Sequence, residues 1–147
     1  MPLSITLKPN ERIVVNGCEI RNSNRRHKLH IESQADVIRE GDLLDKSTVA
    51  TPVKRTYFLL QTALIHASHR ESLVPLIQSD LADLAMVFGG DNLSRVFEAA
   101  NFVSQQDFYK ALSSLRPVMK HEEALLQMLA GQQSETADQP PSVVAAE

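Results

Sequence analysis

Asn16-Gly17 stands between "ERIVV" and "CEIR", and few dipeptides restrict a chain more. A two-residue type I′ turn needs positive φ at both central positions, which Asn and Gly supply. The flanking runs are therefore predicted to pair as a tight antiparallel hairpin. Such a turn sets Val15 opposite Cys18 and Ile13 opposite Ile20. These four side chains share one face, and Arg12, Val14, Glu19 and Arg21 share the other. Cys18 is then expected to be a small core residue.

The rest of the first 45 residues keeps the period of two. "LSITL" (3–7) reads as a half-buried strand and "KPNE" (8–11) as a turn. "NSN" (22–24) is a second turn, followed by a strand in "RRHKLHIE". That strand puts His27, Leu29 and Ile31 on one face and Arg26, Lys28 and His30 on the other. "QADVIREGD" adds a short strand ending near Arg39, before Gly41 turns the chain. The sum is a small antiparallel sheet of four or five short strands over residues 1–45.

At "TPVKRTYFLLQTALIHAS" the period changes to that of a helix. Thr51 is a good N-cap, and Pro52 at the first helical position gives up an N–H that has no partner there. Val53, Tyr57, Leu60 and Leu64 form the apolar stripe. A second helix is predicted over 71–88, with Leu73, Ile77, Leu81, Leu84 and Phe88 aligned and Pro75 tolerated in its first turn. "GGD" (89–91) ends it, and Asp91 is expected to cap a third helix through Phe102. Ser104 is expected to cap a fourth, with Phe108, Leu112, Leu115 and Met119 aligned. Pro117 is predicted to kink or break it, leaving a last segment to Leu129. All seven aromatic residues fall in this part and are assigned to core packing. The fold class is thus α+β: a β unit (1–45), a bundle of four or five helices (51–130) and a disordered tail (131–147) without aromatic residues.

Composition excludes several classes. No apolar run approaches the roughly 20 residues that cross a bilayer, and the start lacks the pattern of a secretory signal. The single cysteine allows no intramolecular disulfide. A cytoplasmic protein without membrane association is expected. His66 and His69, at i and i+3 of a predicted helix, could share a metal, but no third ligand accompanies them. His121-Glu122-Glu123 reads as a solvated helix face. No phosphate loop, nucleophile elbow or distinctive carboxylate pair is present, so neither a cofactor nor catalysis is implied.

Charge is the informative quantity. The net −3 is uneven, because residues 1–70 carry eleven Lys/Arg against seven Asp/Glu and residues 71–147 carry four against eleven. Arg21, Arg25, Arg26, His27, Lys28 and His30 crowd into ten positions of predicted β-structure. Short strands bearing Arg and Lys can bind RNA through phosphates and base edges. Residues 1–50 contain no Phe, Tyr or Trp, which argues against readout by base stacking. A solvated basic face without a ligand is the plain alternative.

"LSITLKPNERIVVNGCEIRN", "RRHKLHIESQADVIREGD" and "TPVKRTYFLLQTALI" together resemble the FlbT family of flagellar biosynthesis regulators. The resemblance extends from about residue 3 to residue 130. It implies a post-transcriptional regulator, most simply a repressor, that associates with the 5′ untranslated leader of flagellin mRNA and promotes its decay. It also implies functional opposition to a FlaF-type regulator. "LSITL", "NERIVVNG" and "VIRE" are in turn similar to segments of the carbon storage regulator family, CsrA, although the stretch before "VIRE" is shorter here and the basic pair after the first strand is reduced to Lys8. That similarity would make Arg39 central to RNA readout and allows a homodimer. Arg21, Arg25, Arg26, Lys28 and His30 would form the electrostatic bed, with Lys8 beside them and Lys54 and Arg55 extending it onto the first helix. Cations in a first helical turn oppose the helix dipole, which hints at a use other than helix stability. The alternative is a protein-interaction module, whose acidic helical half binds flagellin or another flagellar regulator and acts on the mRNA indirectly.

Overall fold

The computed structural model describes the backbone of residues 3–138 and side chains of residues 3–131. Five short strands come first: β1 (Leu3–Leu7), β2 (Arg12–Val15), β3 (Cys18–Arg21), β4 (His27–Ile31) and β5 (Val37–Arg39). They form two antiparallel ladders, β1–β4 and β3–β2–β5. Four helices follow: α1 (Pro52–Ile65), α2 (Arg70–Val87), α3 (Gly90–Ser104) and α4 (Phe108–Asp138).

The hairpin register is the expected one, Ile13 against Ile20 and Val15 against Cys18. Asn16 and Gly17 take φ of 50° and 80°. The tip is pinned twice more. Asn16 exchanges two hydrogen bonds with the Asp36 backbone, donating to its carbonyl (2.8 Å) and accepting from its N–H at Oδ1 (2.9 Å). A Cβ on Gly17 would also lie 2.8 Å from the Leu64 carbonyl oxygen, so glycine lets the turn meet the end of α1.

β2 is the middle layer. Its Ile13 faces Ile5 and Leu7 of the β1–β4 ladder, with Leu29, Ile31 and Val37 packed around them. Val14 points the other way, into the core of Ile38, Val53, Tyr57 and Leu60. Here the expected faces are corrected. Val14, grouped by alternation with Arg12 and Glu19, is fully buried because the helices cover its face. Cys18 is exposed, since β3 is an edge strand whose residues are all open to solvent.

The α1 cap is as read: Thr51 accepts from the Lys54 N–H, with Pro52 first in the helix. Val53, Tyr57, Leu60, Ile77, Leu81, Leu84, Val96, Leu112 and Leu115 fill the core. Later boundaries differ. Gly89, not Asp91, is the N-cap of α3, and Asp91 sits in the first turn, where its charge favours the dipole. Ser104 ends α3 and donates to the Ala100 carbonyl, while Asp107 accepts from the Lys110 N–H (3.1 Å) at the start of α4. α4 runs unbroken through Pro117, which gives four α-helices among the described residues. The hydrogen bond lost to Pro117 is offset by Leu115 and Val118, both fully buried on either side of it. Phe97 departs from the core assignment, being 58 % exposed on the outer side of α3. α4 also continues past Gly131 to Asp138, and the rest of the expected tail, 139–147, lies outside the described residues. Among the described residues no helix is long and apolar enough to cross a membrane.

Candidate nucleic-acid interface

The β1–β4 ladder turns one face inward and one to solvent. Ser4 pairs with His30 and Thr6 with Lys28 on the open face, and all four are exposed. The ladder ends with Leu7 against His27, and Lys8 and Arg26 are the residues just beyond it on each chain segment. Asn22 holds this end together, its amide donating to the carbonyls of Lys8 and Arg25, each at 2.8 Å. Lys28 and His30 thus follow one another at about 6.7 Å along one strand face, beside two hydroxyls, with exposed Arg26 just before β4 and exposed Lys8 just after β1. The Ser4 hydroxyl lies 2.9 Å from His30 Nδ1. Among the described residues, Lys8, Arg25, Arg26 and Lys28 make no ion pair; the pairs present involve other cations.

The remaining cations of the sequence-based set lie elsewhere. Arg25 is in the β3–β4 loop next to the patch. Arg21, at the end of β3, donates to the Asn10 carbonyl (3.1 Å). Arg39 shares the face of Val37, which is turned toward the β1–β4 ladder rather than away from it. Its guanidinium donates to the Thr6 carbonyl (3.0 Å) and, through Nε (3.2 Å) and Nη2 (2.9 Å), to the Glu11 carboxylate. Glu11, with an 8 % exposed side chain, also accepts from the Lys8 N–H (2.8 Å). The Lys8 amide, and after it Arg39, hold the Glu11 carboxyl below the usual carboxylate range in spite of its burial. In this fold Arg39 is a clamp that joins the two ladders.

Lys54 and Arg55 are engaged on the helices. Lys54 pairs with Glu123 (3.4 Å), and Arg55 makes a two-pronged contact with Asp80 (2.8 and 3.2 Å). Their place in the first turn of α1 is compensated by a residue that the sequence reading assigned to solvent. Glu122 is buried; its carboxylate accepts from the Thr51 hydroxyl and from the Val53 N–H (3.3 Å). An anion at a helix N-terminus is favourable, and only the approach of α4 brings one there. His66 and His69 are not on a helix together, because His66 caps α1 and His69 ends a 3-10 turn. Their rings meet edge to face at 5.9 Å.

The chain is similar to known proteins over most of its length. The family described as "Flagellar protein FlbT" matches residues 3–126. The chain belongs to the FlbT family. Similar FlbT proteins include a probable flagellum biosynthesis repressor of Rhodopseudomonas palustris, 37 % identical over 133 residues, covering 86 % of this chain and 98 % of the relative. The flagellum biosynthesis repressor of Caulobacter vibrioides is 28 % identical over 127 residues, 86 % of this chain and 90 % of that one. A Caulobacter sp. relative is 29 % identical over 127 residues, 86 % and 97 % of the two chains. Membership in FlbT places this chain among non-enzymatic flagellar regulators. No solved structure matches it.

Proposed function

We propose that this FlbT-family protein represses flagellum biosynthesis by binding the 5′ leader of flagellin mRNA on the open face of the β1–β4 ladder, and that binding promotes decay of the message. One observation carries the reading: Lys8, Arg26, Lys28 and His30 form an exposed basic patch, flanked by Arg25, whose lysines and arginines make no ion pair among the described residues. Phosphate contacts of this kind supply affinity and orientation. Arg39 contributes indirectly, by holding β1 and therefore the patch in place. In this reading Lys54 and Arg55 contribute less, since each is paired with an acidic side chain on the helices.

The test is fluorescence anisotropy of the full chain against its own flagellin leader and a scrambled RNA over a range of salt. Replacing Arg26 and Lys28 together by alanine should weaken leader binding and flatten the log–log salt dependence by about 1.4, the value for two single-strand phosphate contacts. Replacing Lys54 and Arg55 should change it less. An unchanged slope in the first variant refutes the interface.

A further inference from the structure

β3 is the outer strand of its ladder: β2 pairs with it on one side, and no strand among the described residues pairs with the other. Edge strands are usually blunted by proline, bulges or a covering loop. Here Cys18, Glu19, Ile20 and Arg21 are all exposed, and no proline interrupts them. Ile20, a large apolar side chain, is left 37 % open.

The phase of the strand says which backbone groups face out. In an antiparallel ladder, successive residues turn their N–H and C=O to opposite sides, and a two-residue turn makes its flanking residues a hydrogen-bonded pair. Val15 and Cys18 are that pair, and the Asn22 N–H donates to the Glu11 carbonyl (2.8 Å). Cys18, Ile20 and Asn22 therefore direct their backbone groups to the β2 side, and Glu19 and Arg21 turn theirs outward. Their side chains are also incompletely matched. Arg21 stands directly opposite Arg12 in the ladder, a destabilising like-charge arrangement. Arg12 is answered by Asp45 at 2.8 Å, with Glu19 at 3.7 Å and Glu40 at 3.9 Å. Arg21 makes no ion pair among the described residues.

We propose that β3 pairs antiparallel with β3 of a second copy of this chain, with Ile20 of each copy on the two-fold axis. In that register Glu19 of each copy faces Arg21 of the other. These are the two residues whose backbone groups point outward, so each pair exchanges main-chain hydrogen bonds as well as opposite charges. Registers shifted one pair either way keep the hydrogen bonding but set Glu19 against Glu19, or Arg21 against Arg21. Charge thus selects the occupant and the register, because acid, apolar, base is complementary to itself run backwards. Such self-complementarity is what a two-fold interface requires. The contact uses none of Lys8, Arg26, Lys28 and His30, so it stands apart from the RNA reading.

The experiment is sedimentation velocity of the full chain from about 5 to 500 μM, a range set by the affinity of so small a contact, on the order of 10–100 μM. A concentration-dependent dimer is expected. Glu19→Arg alone and Arg21→Glu alone each oppose like charges at both pairs, and each should weaken it about 10-fold or more. An equimolar mixture of the two variants should associate again, because all opposed charges in the mixed dimer are unlike. The far-UV spectrum and melting temperature report that each variant still folds. In a Cys18→Ser background, Ile20→Cys should cross-link to its own copy on oxidation. The native Cys18 should not, since the register keeps its two copies about 14 Å apart. A monomer throughout the range overturns the proposal, whether or not a strand of another protein then binds the edge. So does a dimer indifferent to both single reversals, a mixture that fails to recover, or cross-linking through Cys18 and not through residue 20.

Discussion

Replacing Arg39 with alanine is expected to loosen the joint between the two ladders, and the structure sets the size of the effect. Three hydrogen bonds disappear, two of them to the Glu11 carboxylate and one to the Thr6 carbonyl. Glu11 then keeps only the Lys8 N–H while remaining nearly buried. Hydrogen bonds to a charged group are worth about 1.5–3 kcal/mol. The guanidinium is 46 % exposed, and water shares its solvation, so the low end of about 1.5 kcal/mol applies. For a chain of this size that lowers the melting temperature by roughly 3–6 °C. The charge makes the effect pH-dependent. The folded Glu11 carboxyl lies below its unfolded value, which is about 4.3. Its stabilisation is complete above that unfolded value and is lost as pH falls through the folded one. Without Arg39 the folded value rises toward the unfolded, and this acid-sensitive contribution shrinks. Urea titrations at pH 7 and pH 3.5, on wild type, Arg39→Ala, Glu11→Gln and the double variant, measure both quantities. The coupling between the two sites should be about 1 kcal/mol or more at pH 7 and smaller at pH 3.5. A variant as stable as wild type within about 0.5 kcal/mol, or a coupling independent of pH, would refute the clamp. The same data show whether any loss of RNA affinity in Arg39→Ala comes with a weakened sheet.

Three further expectations follow from single contacts. Gly17→Ala should destabilise by about 2 kcal/mol, since φ is positive and the new Cβ meets the Leu64 carbonyl; Gly41→Ala, with open space around it, should be within about 0.5 kcal/mol of wild type by urea titration. Glu122→Ala should cost about 1–2 kcal/mol by removing the anion that caps α1, whereas Glu123→Ala should cost less than about 1 kcal/mol, because it breaks only a partly exposed pair with Lys54. Cys18 should react with a thiol reagent in the folded protein as fast as in the unfolded chain, because β3 leaves it exposed; protection until unfolding would show that the strand is covered.

The sequence alone determined the features that depend on neighbours along the chain. The Asn16-Gly17 turn and its register follow from two backbone conformations, and the cap and first turn of α1 from Thr51 and Pro52. The stripes of α1 and α2 follow from helical spacing, and the grouping of Lys28 and His30 on one strand face from the pleat. Only the tertiary structure decided what each face meets. Alternation says that Val14 and Arg12 point the same way, but it does not say that helices lie over Val14. It likewise leaves unsaid that β3 is an edge strand, so that Cys18 has nothing to pack against. The roles of Arg39 and Glu122 depend on groups 28 and 71 residues away in sequence. No local pattern reports such distances, because electrostatic partners are chosen by the way ladders and helices dock. A cation count can therefore propose an interface, but only the fold separates the cations that acids have neutralised from those left facing solvent.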